Sequence, residues 1–376
     1  MKSTALIILA AASIATAAQA APNSPYISRV YDFVPAPGQF VNDIPPIPAD
    51  ATHDSVCSLV LEQIGREANP GMISLGAFGG YVIFGFDHPL VNVEGEYDFK
   101  IAGNAFVSDR DSGGGSCEPG IVMVAVDANG NGLPDDPWYE LAGSAYAQAH
   151  KGFSIKYTKP ATLEENYPFT TNDPDMPRGQ VERNIYHTQS YWPEWIGRDT
   201  LEFEGTLLPD NGVNQGDDET PYWVLKFYDW GYVDNLPNAD DPGLKLDWAV
   251  DADGKPVKLN KVDFIKVYTA ESQTCGWLGE TSTEICGATD LHPDAVAFNA
   301  VESVSADSYV LMLMRRIQGS ITVRSGRELP YSIYAADGRP AGTGILATGD
   351  NVIATDALTH GIYILRTAVG SLKFAL

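Results

Sequence analysis

The chain has 376 residues, 44% of them hydrophobic and 19% charged, with 49 Asp and Glu against 24 Lys and Arg. A formal net charge of −25 repels phosphate backbones and excludes nucleic acid as a partner. Four cysteines without any Cys-x-x-Cys spacing exclude a zinc ribbon and a thioredoxin-type redox centre.

Residues 1–20 read as a signal peptide: Lys2 is the positive start, Ala5 to Ala15 the apolar run, and Ala18-Gln19-Ala20 the small-x-small cleavage site. No cysteine follows that site, so lipid anchoring is not expected. No other stretch reaches about 18 apolar residues, so no transmembrane segment is expected. Residues 21–50 (PAPGQF, DIPPIPAD) form a proline-rich extended arm, and residues 51–302 the main body.

A short helix is expected over Asp54–Arg66, with Val56, Leu59, Val60, Leu61 and Ile64 as its apolar face. Strands are then expected over Tyr81–Phe86, Tyr97–Phe106, Gly120–Val126, Phe153–Tyr157, Thr200–Leu208, Tyr222–Trp230, Val262–Ala270 and Ala295–Val301. Gly, Asp, Asn and Pro punctuate them, and no helical period intervenes. That pattern predicts an all-β fold, a jelly-roll-like β-sandwich. Thr158 to Arg183 and Asp210 to Thr220 read as polar loops of the kind that carry binding surfaces. Residues 303–315 link the body to residues 316–376, a small C-terminal β-module. In that module Tyr331, Ile333 and Tyr334 lie on one strand, Asp337-Gly338 is a turn, and Ile362 to Arg366 alternate on another strand.

One Lys lies in the leader, and the tail from Arg316 holds six basic and four acidic residues. The body between therefore carries 17 basic against 45 acidic side chains. Such acidity suits solubility outside a cell or the binding of a divalent cation. The sharpest signal is Asp127-Ala-Asn129-Gly-Asn131-Gly132-Leu133-Pro-Asp135-Asp136. Oxygen side chains at positions one, three, five and nine, with Gly at six, match most of a calcium loop, and the Leu133 carbonyl supplies position seven. Trp138 stands where a bidentate acid belongs, so Asp136 or Glu140 must complete the set. The plain alternative is an Asx-turn loop between two strands. A structural Ca2+ is the expected cofactor.

Three disulfide pairings are open to Cys57, Cys117, Cys275 and Cys286. Cys275 with Cys286 is the local one, closing a short loop worth about 2–3 kcal/mol and leaving Cys57 with Cys117. Trp192, Trp195, Trp223 and Trp230, in aromatic segments beside carboxylates, are the candidate ligand-binding residues. Flat rings suit sugars or a large planar ligand. Trp277 belongs to the same class. No HExxH or GxSxG motif occurs, so no catalytic residues are assigned. Were the protein a glycan-acting hydrolase, Glu118, Glu194 and Asp229 would be the candidate carboxylates.

Two resemblances add to this reading. The tail, YSIYAADGRPAGTG through GIYILRT to the closing Lys373-Phe374, resembles the C-terminal sorting domain of cargo of the Bacteroidota type IX secretion system. It implies the secretion machinery as a partner and an extracellular or outer-surface destination. The segments FVPAPGQFVNDIP, SLGAFGGYVIFGFDHPLVN, CEPGIVMVAVDANGNGLPDDPWYELAGS, HTQSYWPEW and CGWLGETSTEI, within Tyr26 to Asn299, resemble a family of Bacteroidota cell-surface proteins. That likeness implies a displayed jelly-roll sandwich serving nutrient capture, with a corrinoid as one ligand; the aromatic segments make a glycan the other. A secreted glycan-acting hydrolase and a structural or adhesive surface protein are the alternatives.

Overall fold

The structure, a computed structural model, describes residues 23–65, 71–162, 164–217, 219–295, 311–317, 319–336, 338–367 and 370–376. The expected leader, residues 296–301 of the last expected strand, residues 303–310 of the expected linker, and Asp337 of the expected turn lie outside them. The chain divides into two compact units, the first ending at Ala295 and the second running from Val296 to Leu376.

The first unit is built on a six-stranded sheet in the order Arg29–Val34, Tyr81–Gly85, Phe264–Thr269, Gly120–Ala125, Trp138–Leu141, Ala249–Val250. Its central strands are apolar but for Lys266, whose ammonium lies over the Tyr81 ring, because both of their faces are covered. Val82, Phe84, Val122, Val124, Ile265 and Val267 point into one core. Ile121 and Tyr268, with Tyr81 and Met123 beside them, point into a second. A four-stranded sheet closes that second core: Arg178–Val181, Tyr167–Thr171, His150–Thr158, Thr200–Leu207. Its inward residues Phe153, Ile155, Tyr157, Leu201 and Phe203 alternate with exposed or half-exposed neighbours. Such alternation is the mark of a sheet with one wet face. A second four-stranded sheet runs Gly212–Asn214, Trp223–Lys226, Asp111–Ser116, Phe106–Ser108. The all-β sandwich expected from the sequence is thus what the structure shows.

Several expectations need correction. The proline-rich arm is extended but not separate: Arg29–Val34 is an edge strand paired with Tyr81–Gly85, and Val30, Phe33, Ala36 and Val41 are buried. Apolar residues between the prolines carry it into the body. The expected loop from Thr158 to Arg183 contains the hairpin of Tyr167–Thr171 with Arg178–Val181, and Asp210 to Thr220 contains the short strand Gly212–Asn214.

No disulfide joins any of the four cysteines. Cys57 lies on the helix His53–Ile64 and packs against the first core. Cys117 and Cys275 share a small cluster with Leu225, and Cys286 reaches the Gly103 carbonyl. Closeness in sequence did not bring the expected partners into bonding position.

The second unit has its own core of Ile321, Val323, Ile333, Leu346, Ile353, Tyr363, Leu365 and Phe374. A three-stranded sheet (Leu311–Ile317, Ser320–Ser325, Gly349–Ala354) and a four-stranded sheet (Pro340–Leu346, Leu329–Ala335, Ile362–Thr367, Gly370–Ala375) supply it. The expected linker therefore ends before Leu311.

Candidate functional site

The Asp127 loop joins the antiparallel strands Gly120–Ala125 and Trp138–Leu141, with Ala125 opposite Trp138. Its oxygens are turned onto its own backbone. Asp127 accepts from the N–H groups of Asn131 (3.1 Å) and Gly132 (3.0 Å). Asn129 accepts from Asn131 N–H and Asn131 from Leu133 N–H, at 2.9 and 2.8 Å. Both amides donate to Asp135, and Asp136 accepts from Ala128 N–H. The structure brings all the expected ligands into one loop, in Asx-turn hydrogen bonds. Glu140 points elsewhere and accepts the Thr206 hydroxyl at 2.6 Å.

The four candidate tryptophans do not form one surface. Trp192 is fully buried in the second core, its indole N–H donated to the Arg198 carbonyl at 3.1 Å; this corrects its assignment as a ligand-binding residue. Trp195 stacks on Phe33 with ring centres 6.0 Å apart, at the margin of the first core. Trp223 lies under the Gly276–Leu278 turn, so close that a Cβ on Gly276 would meet its indole nitrogen at 2.3 Å. Trp230 is exposed but packs on Trp248, ring centres 4.7 Å apart. Glu194 is held by Lys159 and Ser190.

A cleft of about 660 Å³ lies elsewhere in the same unit. Its walls are Gln39 and Phe40 from the N-terminal segment, Asn184, Tyr186 and His187, and Trp277 to Ser282; Glu118 and Glu284 lie on its floor. Trp277 is 57% and Tyr186 71% exposed, a high value for rings of their size. Asn184 ties the walls together by donating to the Trp277 carbonyl at 2.7 Å, and Phe40 packs edge-on to His187 at 4.7 Å. The turn after Trp277 requires glycine: Gly279 has φ +90°, and a Cβ there would lie 2.5 Å from the Gln39 amide nitrogen.

The walls hold unsatisfied polar atoms. Glu280 accepts the Gln39 N–H at 2.6 Å through one carboxylate oxygen, but its other oxygen, Oε2, has no partner. Gln39 Oε1 and the Thr281 hydroxyl are likewise unpartnered. These three side chains line the cleft and belong to residues no more than 5% exposed. Such atoms cost about 1–3 kcal/mol each unless something in the cleft pairs with them.

At the floor, carboxylate oxygens of Glu118, Asp234 and Glu284 lie within 4.8 Å of one another. Each is placed by backbone. Asp234 sits at φ +52° and accepts from the N–H groups of Asn104 (2.7 Å), Ala105 (2.9 Å) and Glu284 (3.0 Å). Glu118 accepts from Ser282 N–H at 3.1 Å. Glu284 is in a two-residue strand, opposite Ser74. Asp234 and Glu284 are buried, whereas Glu118 keeps partial exposure. Among the described residues, no Lys or Arg forms an ion pair with any of the three or with Glu280. Burial, and then the Asp234 charge, holds the Glu118 carboxyl well above its ordinary range. Burial raises Asp234 likewise, and Glu284 through burial and then the charges of Glu118 and Asp234. Burial, and with it the Glu118 charge, pushes Glu280 up to about 8, against the pull of the Gln39 N–H.

Of the candidates named from the sequence, Glu118 and Trp277 reach the cleft. Glu280, Glu284 and Asp234 were missed, because three segments meet there only after folding. The CGWLGETSTEI segment, which carries Trp277, Glu280 and Glu284, held the available signal: two acids amid small polar residues in one short stretch. Compared with models of known protein families and with curated proteins, the chain matches none of them.

Proposed function

We propose that the protein is an exported surface protein that captures a small ligand in this cleft, a glycan being the ligand that fits it best. What carries the reading is the pairing of exposed Trp277 and Tyr186 with the unpartnered oxygens of Glu280, Gln39 and Thr281. A sugar offers a flat apolar face to stack and hydroxyl donors for lone acceptors. A corrinoid also offers amide donors and a broad ring system, and so belongs in the same test. Export by a type IX route and a structural Ca2+ at the Asp127 loop complete the proposal. The first rests on the tail motif and a small unit with its own core, the second on the oxygen spacing of the loop.

The test is calorimetric titration against a panel of oligosaccharides and cobalamin. The expected result is binding of at least one panel member that Trp277→Ala weakens by about tenfold or more, the scale of one lost aromatic contact. No heat from either panel, or binding indifferent to Trp277→Ala, overturns the reading.

One observation favours a second reading. Glu118 and Glu280 both line the cleft with carboxyls raised by burial, as a general acid in glycoside hydrolysis requires. Turnover on polysaccharides that Glu280→Gln abolishes would establish it.

A further inference from the structure

We infer that Glu118, Asp234 and Glu284 form a divalent-cation site, of the hard-oxygen class that suits Ca2+, at the floor of the cleft and separate from the Asp127 loop. The three side chains offer only carboxylate oxygen. Their donor atoms all lie within 4.8 Å of one another, and two ligands about 2.4 Å from one ion can be no farther apart than that. Three acids meet here with no Lys or Arg paired to them among the described residues. Buried carboxylates without a counter-charge are strongly disfavoured, and a cation supplies the missing charge.

The donors are held in place before any ion arrives. Backbone N–H groups fix Asp234 from both of its oxygens, Oδ2 accepting only the Glu284 N–H and so retaining a lone pair. The Ser282 N–H fixes Glu118 through Oε1, and the Glu118 carboxyl also meets that of Glu284, a hydrogen bond that an ion between them replaces. Partial exposure of Glu118 opens the group to the cleft, where water fills the remaining coordination positions. A second, independent feature of the same cleft points to a polar occupant. Gln39 Oε1 and the Thr281 hydroxyl, on residues 96% or more buried, have no partner, and water molecules of an ion's hydration shell provide them.

The experiment uses the full chain stripped with chelator and titrated with Ca2+ at neutral pH, with no sugar present, so its outcome is independent of the glycan reading. Wild type is expected to bind Ca2+, and Glu118→Gln and Glu284→Gln are each expected to lose one bound ion, weakening that event by more than about tenfold. Asp127→Ala is expected to retain the same event. Loss in Asp127→Ala with retention in Glu118→Gln overturns the inference, as does the absence of any Ca2+ binding. Should both Gln variants fail to fold, carbodiimide labelling of wild type decides. Saturating Ca2+ is expected to protect Glu118 from modification, read by peptide mass spectrometry. Labelling unchanged by Ca2+ overturns the assignment.

Discussion

Trp277, 57% exposed at the cleft, and Trp192, with no exposed surface, predict opposite phenotypes. Trp192→Ala is expected to cost about 3–5 kcal/mol in denaturant unfolding, the range for a large aromatic removed from a core. Trp277→Ala is expected to leave that transition unchanged while weakening ligand. A second residue-scale expectation concerns pH. Glu280 has an ordinary value of 4.5 and is raised to about 8 in the fold. Between those values the folded state holds a proton that the unfolded chain has released, so its contribution to stability is full below about 4.5 and is lost as pH rises through about 8. Glu118, Asp234, Glu284 and Glu271 are raised in the same direction by burial. In chelator, the melting temperature is therefore expected to fall from pH 5 to pH 8, and Glu280→Gln to flatten that fall. A rise over this interval would contradict it. Residue identity alone could not reveal this site. Trp192 and Trp277 look alike as letters, and whether a ring is core or rim depends on which segments fold over it. Glu118 was legible as an acid near strands, but its partners arrive from positions 234, 280 and 284.

Elements with a clear period were legible. The apolar run of Gly120–Ala125 and the alternation of Thr200–Leu207 read directly as strands, and the helix begins within one residue of expectation, capped by the Thr52 side chain on Ser55 N–H. Asp111–Ser116 did not. DSGGGS has almost no side chains to set a period, and it becomes a strand because Trp223–Lys226 and Phe106–Ser108 flank it. The Asp127 hairpin lies between these extremes: its loop was legible and its hydrogen bonds follow from Asx chemistry. Asp127→Ala removes the acceptor of two backbone N–H groups and is expected to cost about 1–3 kcal/mol in chelator. If Ca2+ also binds there, the variant is expected to lose part of the Ca2+-dependent rise in melting temperature; an identical response in variant and wild type would remove calcium from this loop.

At the scale of the molecule, the two units each bury their own apolar residues. The fragment Val296–Leu376 is accordingly expected to fold alone, with a cooperative thermal transition by circular dichroism. A featureless melt would show that its core is insufficient. A separate C-terminal module was legible from its motif, which places it from Arg316, whereas the second compact unit starts at Val296. The layered arrangement was not, since an unbroken apolar strand does not say which sheet covers which face.

That double covering has a consequence for how the first unit finds its pairing. In a half-wet strand, sliding by one residue exposes the greasy side, and water enforces alignment. Gly120–Ala125 lacks this safeguard, because Ile121 and Val122 are equally at home in oil. Alignment must come from its ends. At one end Gly120 exchanges two hydrogen bonds with Val233, where a Cβ would strike Thr283 and Val233 at 2.8 Å; at the other, Asp127 N–H docks on Asp263 at 2.9 Å. The strand is thus located like a bolt by its two stops, and those stops adjoin Glu118 on one side and the acidic hairpin on the other.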